Sequence, residues 1–262
     1  KTMRTRLPRR VRIIALLVIA LVATPLISLL FRVPWARLPS ILRQEIVTDA
    51  LVLSLTSSVL AAFIALFLGI PVAILLSRLD GLFASVTRAM MMLPMVLPPV
   101  VGGAALLFAF GRRGTLGSAL EEASGLVLPY SLGGVVLANA FVAMPFVVLT
   151  IEGSLRGLDS RFELAAASLG ANEFRTMIKV VLPMVRSSLI AAGVLAWARA
   201  LGEFGATITF AGNIPGKTQT LPLAVFVAME TDQEAALAMS LVLILVSLGV
   251  LLTMRDRWWP AR

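Results

Sequence analysis

Two residue types that carry much of protein chemistry are missing from this 262-residue chain: it has no cysteine and no histidine. Their absence excludes disulfides, thiolate nucleophiles, His-ligated haem and His-dependent zinc sites, and removes the commonest general base. Metalloenzyme and redox functions lose their usual ligands with them. The missing cysteines by themselves say nothing about compartment. Acid is also scarce, 14 Asp and Glu against 23 Lys and Arg, giving a net charge of +9. There is no low-complexity tract, no clear internal repeat and no stretch with the composition of a soluble domain, so the chain reads as one domain over 1–262.

What is abundant is apolar: 59% of residues are hydrophobic and the mean hydropathy is +0.96. That is more than a soluble domain of this length can bury. A spanning helix needs about 20 apolar residues at 1.5 Å rise each to cross a core of about 30 Å. Six segments qualify, at about 11–31, 51–76, 89–110, 131–151, 185–210 and 235–254. They predict an all-α polytopic membrane protein with six transmembrane helices. The first segment has a basic start like a signal peptide. Its apolar run is too long for one, and no A-x-A-like site followed by a soluble domain appears, so it reads as a retained helix.

Six helices place both ends on one side, and positive charge decides which. With the ends inside, sixteen Lys and Arg are cytoplasmic; six (Arg32, Arg37, Arg43, Arg112, Arg113 and Lys217) are outside, and Arg199 lies within the fifth segment. Both termini are therefore expected in the cytoplasm of a multi-pass inner-membrane protein. The basic excess reflects orientation in a lipid membrane, with no nucleic-acid partner implied. Connections are short except for 111–130 and 211–234 outside and 153–184 inside.

The inner connection contains a polar elbow, 159–183, between two apolar segments. Ser160-Arg161-Phe162-Glu163 fits a capping box that opens a short helix, and Gly170 fits its end. Asn172 fits the cap of a second helix terminated by Pro183. Phe162, Ala165, Ala166 and Leu169 share a face at helical spacing, small enough to enter a groove on another protein. Spacing alone leaves two readings open: docking, or a turn in which Glu163 only caps and Gly170 only turns.

Inside the membrane, Pro94, Pro98 and Pro99 are followed closely by Gly102 and Gly103. Prolines free carbonyls and kink helices, and irregular backbone at membrane depth persists only where protein or a water-filled cavity solvates it. A lining of a conduction path is favoured over a packed kink. Arg199 and Glu203 stand i, i+4 on one face of the fifth segment. They are read as a self-neutralising pair, with a rearranging gate as the sharper alternative. Gly202 and Gly205 beside them would let another helix approach closely, such as that of a dimer mate. The segment 212–218, GNIPGKT, resembles a phosphate loop, but the pattern G-x4-G-K-[ST] needs glycine where Ala211 stands. It reads instead as an external turn in which Lys217 attracts anions or a partner.

Glu163, Ala165, Ala166, Gly170, Val180, Leu182 and Pro183 resemble the EAA loop of ABC importer permeases, E-A-A-x3-G-x9-I-x-L-P. The chain departs from it twice: in register with Gly170 the motif's Glu falls on Leu164, one place after Glu163, and Val180 replaces Ile. The run 199–223, RALGEFGATITFAGNIPGKTQTLPL, is similar to the signature of oxyanion permeases, most of all the molybdate/tungstate branch. Sulfate/thiosulfate permeases share its first part and usually diverge through NIPGKTQTLPL. With LPMVLPPVVGG in the third segment, the resemblance covers most of 50–250.

The resemblance implies a type I ABC importer permease fold and a homodimer. It also implies two cytoplasmic ABC ATPase subunits that hold ATP and Mg, and an extracytoplasmic oxyanion-binding protein. The chain itself would have no catalytic residue, metal or cofactor. Glu163, Ala165, Ala166, Gly170, Leu182 and Pro183 would couple to the ATPase. Pro94, Pro98, Pro99, Gly102, Arg199 and Glu203 would line or gate the path, and Asn213, Gly216, Lys217 and Thr218 would face the binding protein. A sulfate/thiosulfate importer is the near alternative. A membrane-embedded enzyme is the distant one, for which Arg199–Glu203 is the only buried ionisable cluster the sequence offers.

Overall fold

A computed structural model describes residues 8–253, and every regular element within them is helical. The basic residues before position 8, those after 253, and Met254 at the end of the sixth segment lie outside the described residues. The elements are α1 (Arg9–Arg32), α2 (Leu38–Ile41), α3 (Glu45–Arg78), α4 (Gly81–Val96), α5 (Pro99–Phe110), α6 (Gly117–Ser124) and α7 (Leu132–Arg156). Then follow α8 (Arg161–Ser168), α9 (Glu173–Thr176), a π-turn (Met177–Val181), α10 (Leu182–Met184), α11 (Arg186–Leu201), α12 (Gly205–Phe210), α13 (Leu221–Thr231) and α14 (Gln233–Thr253).

The centre is a three-helix bundle of α3, α7 and α11. Its seam is built mostly from alanine: Ala61, Ala65 and Ala73 of α3, Ala140 and Ala143 of α7, and Ala192, Ala196 and Ala200 of α11 are all buried. Small residues allow close helix approach where van der Waals packing, rather than expulsion of water, drives association. At Gly69 of α3 a Cβ would lie 2.8 Å from Val147 Cγ1 of α7. A second cluster joins α2, α3, α13 and α14, and a third joins α5, α7 and α12 around Phe210. No residue of α1 is buried.

Among the described residues, four helices (α1, α3, α7 and α14) are long and apolar enough to cross a membrane, and the number becomes six if each of two bent pairs is one span. The α3 helix has 34 residues, about 51 Å at 1.5 Å per residue, so it outruns a bilayer core of about 30 Å. Segment 89–110, expected as one span, is instead α4 and α5 with a 115° bend between them. Pro98 and Pro99 cause it: neither offers an N–H, and Leu97, preceding a proline, is extended (φ −63°, ψ 141°).

Segment 185–210 also differs from expectation. The helix stops at Leu201 and resumes as α12 at Gly205. Nor does Pro183 end the elbow's second helix. The backbone continues through it and bends by 73° between Met184 and Arg186. The π-turn at 177–181 widens the helix next to the carbonyl that the ring of Pro183 would otherwise strike. The connections 111–130 and 211–234 are not plain loops: they contain α6 and α13. Pro222 looks like a turn signal in sequence but occupies the first turn of α13, where a missing N–H costs nothing. The first amide of α13, at Leu221, donates to Ser54 Oγ of α3 at 2.6 Å.

Candidate functional site

The predicted site residues fall into three places. At the elbow, α8 ends in a Schellman motif: Gly170 N–H donates to Ala167 O (2.9 Å), Ala171 N–H donates to Ala166 O (3.1 Å), and Gly170 has φ +79°. Asn172 caps α9 by accepting from Arg175 N at 2.8 Å. The capping box does not form. The Ser160 side chain makes no cap hydrogen bond; Asp159 accepts instead, from Arg161 N at 2.9 Å and from Arg161 Nε at 2.7 Å. The hydrogen bond from the Arg161 side chain, then that from its backbone, holds the Asp159 carboxyl below the usual carboxylate range. Glu163 pairs instead with Arg78 at the end of α3, at 3.0 Å. The pair borders a cavity of about 80 Å³ also lined by Leu155, Met177 and Val181.

The elbow carries unusually large apolar side chains in the open. Phe162 and Leu164 are exposed, Leu169 is 89% exposed and Phe174 76%. Of the small-residue face, Ala166 turns inward and is buried while Ala165 is exposed. Leu182 is half-buried and Pro183 exposed.

In the second place, two sequence clusters 100 positions apart meet. The α5 and α12 helices pack backbone against backbone: a Cβ at Gly205 would lie 2.5 Å from Pro99 Cβ, and one at Gly103 would lie 2.6 Å from Thr209 Cβ. Gly102 is buried, with room for a Cβ only 3.3 Å from Phe141. The close approach at Gly205 is therefore to this chain's own α5. Pro94 lies within α4, Pro98 at the α5 cap and Pro99 in its first turn. Arg199 and Glu203 pair at 2.6 Å as expected, with Glu203 2% exposed and Arg199 side chain 30%. The other oxygen of Glu203 accepts from Ala206 N at 2.8 Å, which caps α12 across the break.

The third place is the turn between α12 and α13. Ile214 O accepts from the amides of Lys217, Thr218 and Gln219, while buried Thr218 accepts from Ile214 N at 2.9 Å. Thr218 thus pins the turn from within. Gly212 and Gly216 have φ +77° and +69°, and Gly216 and Lys217 are exposed. Asn213 Oδ1 is buried without a partner among the described residues. The segment follows helix α12 rather than a strand, which removes the phosphate-loop context entirely.

Sequence reasoning missed two polar groups. Asn139 of α7 is buried, with its oxygen accepting from Thr207 at 3.1 Å and its amide reaching Ser57 at 3.5 Å. Glu152, also buried, pairs with Arg88 at 2.6 Å and Arg156 at 3.0 Å. Arg199–Glu203 is therefore not the sole buried ionisable cluster. A signal existed: Glu152 and Arg156 repeat the i, i+4 spacing of Arg199 and Glu203, but at the edge of an apolar segment they read only as flanking charge.

A broken pair of spans, a polar elbow ended by an αL glycine and a small-residue bundle are the features of a polytopic membrane protein. Residues 65–255 match the family of binding-protein-dependent transport system inner membrane components, and the chain belongs to that family. It is 42% identical over 248 residues to the molybdenum transport system permease protein ModB of Mycobacterium tuberculosis, covering 95% of this chain and 94% of that one. It is 40% identical over 210 residues to the protein of the same name from Escherichia coli K12, covering 80% and 92%. Among solved structures, a bacterial ABC transporter that imports alginate has the same fold, with TM-score 0.76, 14% identity and coverage of 97% and 96%. The chain is the multi-pass inner-membrane permease of an ABC importer, a membrane component and not the catalytic subunit; such a transporter works with a binding protein and an ATPase.

Proposed function

We propose that this permease imports molybdate, with tungstate as a cargo of the same shape and charge. It would act as a homodimer bound to two cytoplasmic ATPase subunits and fed by an extracytoplasmic oxyanion-binding protein. The observation that carries the cargo is whole-length likeness: about two residues in five are identical, over nearly the full chain, to a permease named for molybdenum transport. The run 199–223 supports it locally.

In this reading both termini are cytoplasmic. ATP and Mg belong to the ATPase, and this chain binds no cofactor. The exposed apolar side chains of the elbow enter clefts on the ATPase subunits. Exposed aromatic and aliphatic anchors on a polar surface are the usual form of a docking patch. ATP-driven closure of the ATPase pair draws the two elbows together and opens the path outward to the loaded binding protein; hydrolysis returns it inward. Pro94, Pro98, Pro99 and Gly102 shape the path beside the Arg199–Glu203 pair. Asn213, Gly216, Lys217 and Thr218 form the turn at its outer mouth.

The test is uptake into proteoliposomes containing the permease, its ATPase and its binding protein. Molybdate should accumulate only with internal ATP, and a large excess of sulfate should leave uptake unchanged. Uptake of sulfate or thiosulfate at the expense of molybdate would instead establish the near alternative, since these tetrahedral dianions differ mainly in size and hydrogen bonding.

A further inference from the structure

We infer that Arg88, Glu152 and Arg156 form a positioning cluster that makes the cytoplasmic elbow and α4 move as one body, delivering displacement of the elbow to the break at Leu97–Pro98. This rests on the elbow being the element that docks the ATPase.

The α4 helix needs such an attachment. Of its sixteen residues only Ala84 is buried, so packing alone holds it weakly. Arg88 supplies the hold: Nε donates to both oxygens of Glu152 on α7, at 3.0 and 3.3 Å, and Nη2 donates at 2.6 Å. This forked contact fixes orientation as well as distance. Arg156, one turn along α7, donates to the same carboxylate at 3.0 Å. Two guanidiniums against one carboxylate leave an excess positive charge. It is met by Leu76 O and Leu79 O, which accept from Arg156 Nη2 at 2.9 and 3.2 Å, and by Asp80 at 3.8 Å. Those carbonyls are the negative end of α3.

The cluster therefore ties three helices together: the middle of α4 through Arg88, the last turns of α7 through Glu152 and Arg156, and the end of α3 through the carbonyls that Arg156 reaches. The elbow joins at the same point, because Glu163 of α8 holds Arg78, the last residue of α3. Beyond Arg88, α4 runs to Pro94 and to the 115° bend, after which α5 is locked to α12 by Pro99 against Gly205. A displaced elbow is thus linked to α4 through the end of α3, where the Arg78–Glu163 pair and the Arg156 contacts to Leu76 O and Leu79 O lie within four residues, and α4 is the arm leading into the hinge.

The absence of native cysteine allows clean labelling. Spin labels at Val86→Cys on α4 and Glu173→Cys on α9, both exposed sites, report their separation in the full transporter in nanodiscs, with and without an ATP analogue. In the otherwise native protein the distribution should stay narrow and unshifted. In Glu152→Gln the complex should still co-purify and keep basal ATPase, while the distribution shifts or broadens with nucleotide. Molybdate moved per ATP should fall about tenfold, within the range over which such couplings are tuned. Arg88→Lys, which keeps the charge without the fork, should lose less. An unchanged distribution and unchanged transport per ATP in Glu152→Gln would overturn the inference. So would parallel loss of assembly, ATPase and transport in both variants, the mark of a purely structural role. Failure of the otherwise native chain to hold its ATPase would overturn the docking reading itself.

Discussion

Glu203 is 2% exposed, and its two carboxylate oxygens hold different groups: one Arg199, the other the Ala206 amide that begins α12. Glu203→Gln keeps an acceptor for the amide and removes the counter-charge of Arg199. Breaking such a pair from one side costs about 3–5 kcal/mol, more than removing both charges together. A double-mutant cycle with Arg199→Met, read by thermal unfolding in detergent, should therefore be strongly non-additive; additive losses would show that the pair is not coupled. Gly205 makes a second single-atom test. A valine there puts Cβ 2.5 Å from Pro99 Cβ, and overpacking of this kind costs about 1–3 kcal/mol. At Gly202 the nearest atom would be 3.8 Å away, so Gly202→Ala should leave the melting temperature nearly unchanged.

At the scale of elements, the elbow is made of two short helices whose ends carry its specificity. A Cβ at Gly170 would meet nothing within 4 Å, so its constraint is backbone conformation, not space. Gly170→Val should cost about 1–2 kcal/mol at φ +79° and reduce co-purification of the ATPase, whereas Gly170→Asn, which tolerates the left-handed region, should keep it. ATPase yield and ligand-stimulated hydrolysis equal to the unmodified protein in Gly170→Val would count against the docking role. The start of α8 depends on Asp159 and not on Ser160. Asp159→Ala should therefore speed hydrogen exchange at the amides of 161–168, and Ser160→Ala should not. Because the folded carboxyl of Asp159 lies below its usual range, the cap's stabilisation is present above the unfolded value. It is lost as pH falls through the lowered one.

For the whole molecule, orientation in the membrane sets what each exposed surface meets. Lys217 is exposed at the tip of the turn that leads into α13. In the proposed orientation Lys217→Glu should slow transport by weakening anion entry or binding-protein docking. Salt should screen part of that effect over a Debye length of about 8 Å at physiological ionic strength. Affinity of the isolated binding protein for the oxyanion should not change, since that site is on another polypeptide. A cysteine at 217 should react with impermeant reagents from outside only; exclusive labelling from the cytoplasmic side would invert the topology and with it the proposed function.

Sequence alone determined the medium and the class. Hydropathy is a local sum, so long apolar runs announced a membrane protein before any contact was known. The αL end at Gly170, the Asn172 cap and the Arg199–Glu203 pair are likewise local, set by spacing within a turn or two of helix. Tertiary structure decided the rest. Whether a proline kinks, breaks or merely starts a helix depends on what can solvate its freed carbonyl. Pro98–Pro99 therefore break a span, Pro183 is absorbed by a π-turn, and Pro222 sits in the first turn of α13. The partner of Gly205 is Pro99, and that of Arg88 is Glu152, 64 positions away. Glu163 could have capped its own helix, and only the proximity of Arg78 gave it another use. Such pairings are fixed when helices distant in the chain come within side-chain reach, a distance that no spacing along the sequence encodes.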